Sequence, residues 1–226
     1  MRTLILGLVA IALAGPMTSG QEEALGGGGL LLGTLTMDFA ELNAALAATG
    51  HPELPDQLLL TGGGGWGGTV DGPVFGGLGL EGSVNALAAG KETAFRLQLG
   101  GLTVEQVRRL DQGIVLGAGA ALGGGTAELT VRSRQAVDFS DALAQPTASV
   151  LSTDLWAALL YLRLQLQPLD WLGLEGWLGY LVSFPSRWQE GGRELAGPRL
   201  QLRAPFVGVR ISFGGFASPE APAPDG

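Results

Sequence analysis

The chain has 226 residues, 39 of them glycine, with a single lysine (Lys91), a single histidine (His51), no cysteine and a formal net charge of −8. Absence of cysteine excludes disulfide staples, thiolate zinc sites, cysteine nucleophiles and a cysteine-borne lipid anchor together. The acidic balance opposes binding to nucleic-acid phosphates and electrostatic docking on an anionic membrane surface.

At the N-terminus, Arg2 precedes an apolar run from Leu4 to Ala14, which Gly15-Pro16 breaks before the small residues Thr18-Ser19-Gly20. The run is too short for a spanning helix, which needs about 20 residues, and reads as an export signal over residues 1–20, cut ahead of Gln21. An uncleaved anchor or a buried strand is the alternative. No later segment reaches 18 uninterrupted apolar residues.

Gly26 to Gly29 lead into an expected strand from Leu30 to Met37. Asp38, with Glu41 three residues on, forms a capping-box pattern, and Phe39, Leu42, Ala45 and Leu46 follow at helical spacing. Gly50 suits the left-handed C-cap and Pro52 bars continuation, so the helix is short, a plug or cap over an open sheet end.

A strand from Leu58 to Thr61 runs into the glycines of 62–68, and Asp71-Gly72-Pro73 is a turn. Next, Gly76, Leu78, Leu80 and Val84 alternate with Gly77, Gly79, Glu81 and Ser83, and Phe95, Leu97 and Leu99 with Arg96 and Gln98. After a turn at Asp111-Gln112-Gly113, Ile114, Leu116, Ala118 and Ala120 oppose Gly117 and Gly119. Past Gly123-Gly124-Gly125, Ala127, Leu129 and Val131 oppose Glu128, Thr130 and Arg132. Asp138-Phe139-Ser140-Asp141-Ala142-Leu143 echoes Asp38-Phe39-Ala40-Glu41-Leu42, a hint of internal duplication.

The clearest pattern lies between Leu160 and Val182. Leu160, Leu162, Leu164 and Leu166 alternate with Tyr161, Arg163, Gln165 and Gln167. After a break at Pro168-Leu169-Asp170, Leu172, Leu174, Leu178, Tyr180 and Val182 oppose Gly173, Glu175 and Gly179. Successive strand side chains point to opposite faces, so this is an antiparallel hairpin with one greasy and one polar face. A polar loop runs from Pro185 to Gly197. In the last strand Leu200 and Leu202 give way to Val207, Val209, Ile211 and Phe213, a parity shift at Pro205 that reads as a bulge or edge break. Residues 217–226 read as a disordered Pro- and Ala-rich tail.

The pattern predicts an all-β fold with one or two short helices: one Gly-rich, closed antiparallel β-barrel of about eight to ten strands over residues 21–216. Glu81, Arg96, Glu128, Arg132, Arg163, Glu175 and Arg210 sit mid-strand opposite the aliphatics. In a membrane barrel these charges line the interior and the aliphatics meet lipid; in a soluble barrel or sandwich the faces exchange roles. Three Glu against four Arg nearly balance, as an interior network requires. Glycines on the non-aliphatic face suit a narrow lumen, whereas in water each costs about 0.5–1 kcal/mol relative to Ala. Trp156, Tyr161, Trp171, Trp177, Tyr180 and Trp188 fall where interface girdles belong. Against this, several strands look nearer seven residues than the roughly 9–11 a crossing needs.

The export signal, the alternating hairpins and the strand Val207-Gly208-Val209-Arg210-Ile211-Ser212-Phe213 resemble small bacterial outer-membrane β-barrel proteins. The resemblance implies a barrel in the outer membrane with the lipid bilayer as its partner and a structural, narrow-pore or binding role. The alternative is a soluble exported barrel or sandwich, periplasmic or extracellular, that binds a small apolar ligand or self-assembles into a homo-oligomer.

Catalytic and cofactor signatures are weak. Glycines 62–68 lack the Lys-Ser/Thr ending of a phosphate loop, and Gly90-Lys91 is followed by Glu92. His51 lies between a helix end and a proline, with no nucleophile-elbow sequence to accompany it. Asp138 and Asp141 suit helix capping better than acid–base work, and no loop has the alternating carboxylates of a calcium site. The expectation is a non-enzymatic protein without catalytic residues, metal or cofactor.

Overall fold

The computed structural model describes residues 24–69, 71–111, 113–133 and 148–217. The expected signal over 1–20, the echo at 138–143 and the tail beyond 217 lie outside the described residues.

Eight long strands make the wall. They are β1 (Ala24–Thr36), β2 (Gln57–Thr69), β3 (Pro73–Ala88), β4 (Lys91–Asp111), β5 (Ile114–Ser133), β6 (Ala148–Leu169), β7 (Leu172–Pro185) and β10 (Arg203–Ala217). The helix α1 (Ala40–Ala48) links β1 to β2, and two three-residue strands, β8 (Trp188–Glu190) and β9 (Arg193–Leu195), form a small hairpin between β7 and β10. Every neighbouring pair is antiparallel, in the order β5-β4-β3-β2-β1-β10-β7-β6, and β5 pairs with β6 to close the ring. Closure leaves no unpaired edge in the wall.

The register fixes the barrel's shape. Leu97 pairs with Gly82, Gly82 with Leu60, Leu60 with Gly33, Gly33 with Gly208, Gly208 with Trp177, Trp177 with Arg163, Arg163 with Gly117, and Gly117 with Val107. One circuit therefore returns to β4 ten residues from its start. Ten residues of about 3.3 Å set against eight strands of about 4.7 Å give a tilt of about 41° and a radius of about 8 Å. A bore that narrow is filled by its own side chains.

The strands run from 13 to 22 residues, long enough to cross a bilayer and continue beyond it. They look short in sequence because glycine runs conceal their continuation: glycines 62–68 lie inside β2, Gly100-Gly101 inside β4 and Gly123 to Gly125 inside β5. The turn expected at Pro168-Leu169-Asp170 is tighter, since β6 continues through Pro168 to Leu169 and only Asp170 and Trp171 turn. No bulge occurs at Pro205, which pairs in unbroken register with Tyr180.

The apolar core fills one half of the bore. Leu35, Leu58, Leu60, Phe95, Leu97 and Phe206 are each at most 1 % exposed, and α1 closes that end by burying Leu42 and Leu46 against them. Phe39 packs edge-on against Phe95 with ring centroids 5.0 Å apart. Drawing Phe39 into the mouth puts it at the N-cap position in place of Asp38, which accepts the Ala40 N–H at 3.1 Å, so the expected capping box does not form. Gly50 does take a left-handed φ of +70° beyond the helix end. The expected polar loop is partly ordered as the β8–β9 hairpin, with Gly191 and Gly192 at positive φ in its turn and Trp188 Nε1 donating to Pro198 O at 2.8 Å.

Candidate functional site

Two features of the wall bear on function: a charged cluster across the bore and an apolar belt around the outside. The cluster follows from parity and register. Arg210 on β10 and Glu175 on β7 are direct cross-strand partners, and Glu175 also faces Gln165 of β6. Arg163, two residues along β6, shares that inward face. It reaches Glu105 of β4 across β5, where the intervening residue is Gly117. A Cβ at Gly117 would run into Glu105 Oε1 and lie 3.3 Å from Arg163 Nε, so a side chain there would displace the carboxylate from its place beside the guanidinium.

Arg163 donates from Nε to Glu105 Oε1 at 2.9 Å, from Nη2 to the same carboxylate, and from Nη1 to Gln165 Oε1 at 2.6 Å. Glu175 Oε2 accepts Arg210 Nε at 2.8 Å and Trp177 Nε1 at 3.1 Å, with Arg163 Nη1 3.5 Å away. The Arg210 guanidinium lies between two indoles, 3.9 Å from the Trp66 centroid and 4.8 Å from that of Trp177. Trp177 in turn stacks on Tyr161 at 4.3 Å. Two carboxylates and two guanidiniums balance in formal charge at a level where Arg163 is 1 % and Glu175 3 % exposed. Below the cluster, Leu25, Val74, Val107 and Val115 form a second apolar layer.

Of the seven residues expected inside, Arg163, Glu175 and Arg210 are in this cluster. The other four lie on the outer face. Glu81 pairs with Arg96 at 2.8 Å and accepts Gln98 Nε2 at 2.9 Å, both ionic side chains being about half exposed. Arg132 pairs with Glu92 at 3.1 Å, and Glu128 is the cross-strand partner of Arg96, on the same face. On β3 and on the first half of β4, Leu78, Leu80, Phe95 and Leu97 point inward instead of outward. The cause is that the strands outrun the belt: where the outer face becomes polar, the bore becomes greasy, and the pattern inverts without any bulge. Glu105, Gln165 and Trp66 belong to the cluster but escaped the sequence pattern. Glu105 is in phase with Leu97 and Leu99, so its inward face becomes apparent only once those leucines are seen to point inward.

The outer face carries the grease. Leu30, Leu102, Leu122, Leu162, Leu178 and Val209 are all more than half exposed. On β6 the outward residues from Leu166 to Trp156 span about 25 Å along the axis at the tilt above. Toward its upper edge, Gly100, Gly124, Trp156 and Phe184 are successive cross-strand partners in a row that climbs about 3 Å per strand at that tilt. The next outward row is Gln98, Thr126 and Asp154, again direct partners. Trp171 stacks on Phe213 at the opposite edge, with centroids 6.4 Å apart. Trp156 and Trp171 thus face outward near the belt's two edges and Tyr180 outward within it, whereas Tyr161 and Trp177 lie in the bore and Trp188 of β8 is buried. His51 stands apart at the α1 end, its Nδ1 3.0 Å from Thr49 Oγ1.

Outward grease and inward polarity on an eight-stranded up-and-down barrel define the class: a small barrel of the outer-membrane type. No protein-family model matches the chain, and no curated protein matches it. Among solved structures it is similar to Ail, the attachment invasion locus protein of Yersinia pestis, crystallised with the heparin analogue sucrose octasulfate. The identity is 11 %, 87 % of this chain and 99 % of that one are covered, and the TM-score is 0.38. A second crystal structure of Ail matches at 12 % identity, the same coverage and a TM-score of 0.33. The barrel assignment rests on the strand pairing itself.

Proposed function

We propose that this chain is a non-enzymatic barrel of a bacterial outer membrane, whose bore conducts nothing and whose wall holds a recognition surface at the outer side. The observation that carries this is the apolar belt, about 25 Å tall and edged by aromatic and polar rows, which matches the hydrocarbon height such barrels cross. In water so much contiguous exposed grease would drive aggregation. Orientation follows from the connections. One end has only the short turns β2–β3, β4–β5 and β6–β7, together with Ala24 and Ala217. The other has α1, the β8–β9 hairpin and the Ser133–Ala148 connection. Short periplasmic turns and longer outer loops are the rule for such barrels, so the α1 end faces outward.

The bore is blocked in series by the valine–leucine layer, the ion cluster, the Tyr161–Trp177 stack, the leucine–phenylalanine core and α1. A structural or binding role therefore fits better than a pore. Fractionation tests the location: the protein should pellet with outer membranes, need detergent for release, and migrate faster on a gel unheated than boiled. Recovery in the soluble periplasmic fraction would overturn it. Reconstituted in a planar bilayer, the protein should give no stepwise conductance; steady channel openings would refute the sealed bore.

A further inference from the structure

A groove of about 910 Å³ lies between the end of β7 and the start of β10, lined in part by the β8–β9 hairpin. Its lining carries three arginines, Arg187, Arg199 and Arg203, against one carboxylate, Glu194. Arg187 is paired with Glu194 at 2.8 Å. Arg199 and Arg203 are exposed and have no carboxylate partner among the described residues. Unpaired cations gathered in one groove of a chain with net charge −8 are a local reversal of its electrostatics.

The groove's height gives that reversal a meaning. Phe184, in its lining, is the cross-strand partner of Trp156 in the last greasy row of the belt. Arg203 pairs with Val182, the next outward pair below is Pro205 with Tyr180, and below that Val207 with Leu178. Arg203 thus stands directly above an apolar strip of wall, at the level where lipid headgroups begin, and Arg199 shares the groove lining with it. Guanidinium forks match phosphate oxygens bidentately, and the strip beneath accepts acyl chains.

We propose that this groove binds the anionic, phosphomonoester-bearing headgroup of a lipid in the outer leaflet, with Arg199 and Arg203 on the phosphate and the chains along Val182, Tyr180 and Val207. The placement of the headgroup level rests on the membrane reading above. Acyl chains packed on the strip separate a lipid from a free phosphate as occupant.

The test uses the full chain refolded in a non-ionic detergent, titrated with dioctanoyl phosphatidic acid, dioctanoyl phosphatidylcholine or inorganic phosphate, with binding followed by native mass spectrometry. Phosphatidic acid should bind at least tenfold more tightly than either of the others. Arg199→Gln with Arg203→Gln should cut that preference to about twofold or less, Arg199→Gln alone should give an intermediate loss, and Arg193→Gln, at the hairpin tip, should leave it intact. The proposal is overturned if the double variant keeps the preference, if phosphatidylcholine binds equally, or if inorganic phosphate binds as tightly as the lipid. Faster migration of the unheated variants on a gel verifies that they fold. A folded, detergent-requiring barrel without the preference sinks the groove alone, whereas a chain soluble without detergent sinks the membrane reading.

Discussion

Replacing Arg163 by Met tests the interior cluster most directly. The substitution keeps a long side chain in the bore but removes the guanidinium that holds Glu105, binds Gln165 and approaches Glu175. Glu105, 6 % exposed, then loses its ion pair. Removing one member of a buried pair costs about 3–5 kcal/mol, because the surviving charge stays desolvated. With a urea dependence near 2 kcal/mol per molar, the unfolding midpoint should fall by roughly 2 M. Pairing Arg163→Met with Glu105→Leu removes both charges and leaves Glu175 with Arg210, so the cluster stays neutral. That double variant should recover most of the loss, since apolar replacement of a whole buried pair is often neutral or stabilising. The assay is equilibrium unfolding in detergent micelles or short-chain vesicles, read by tryptophan fluorescence, for which Trp66 and Trp177 against Arg210 are local reporters. If Arg163→Met alone shifts stability by under about 1 kcal/mol, or if the double variant is no better than the single, the cluster does not hold the bore together.

The remaining tests probe the belt, the cap and the passage through β5. Leu162→Arg puts a charge on the belt's outer face and should cost about 2–4 kcal/mol of folding stability in a bilayer, whereas Leu87→Arg, equally exposed but near the β3–β4 turn, should change it by under about 0.5 kcal/mol. Equal effects at both positions in vesicle folding assays would remove the belt. Phe39→Ala strips the ring that meets Phe95 and should cost about 3–5 kcal/mol, with faster protease nicking between β1 and β2 as the readout. Unchanged nicking would mean that α1 is not held by this contact. Gly117→Val pushes into the Glu105 carboxylate and should destabilise by about 1–3 kcal/mol, an added cost that vanishes in the Glu105→Ala background.

Much of the wall was legible because a two-residue period is hard to imitate. On the β6–β7 hairpin the alternation separated Leu162 from Arg163, and the membrane reading put Leu162 out and Arg163 in, where the barrel has them. The same rule failed on β3 and the first half of β4, where Leu78, Leu80, Phe95 and Leu97 are inside and Glu81 and Arg96 outside. Alternation reports which side chains share a face; it does not report which face meets lipid. That sign depends on height in the barrel, and height depends on tilt and stagger, which only the long-range pairing fixes. The strand order and the bridge from Arg163 over Gly117 to Glu105 were illegible for the same reason, since residues 58 apart are brought together only by the register of β4, β5 and β6.

The inversions were nevertheless written in the sequence. In β5 the apolar parity passes from Leu116, Ala118 and Ala120 to Ala127, Leu129 and Val131, and in β10 it passes from Leu202 to Val207, yet neither register slips where the parity changes. A bulge would shift the pairing as well as the pattern. A change of parity without a change of register must therefore come from the surroundings: the outer face passes from grease to polarity while the bore passes the other way. The polar row Gln98–Thr126–Asp154, beside the row that ends at Trp156 and Phe184, is the same crossing seen on neighbouring strands. A switch from grease to polarity that recurs on neighbouring strands without a slip in register is what a lipid surface imposes, and a soluble barrel gives its strands no reason to switch together.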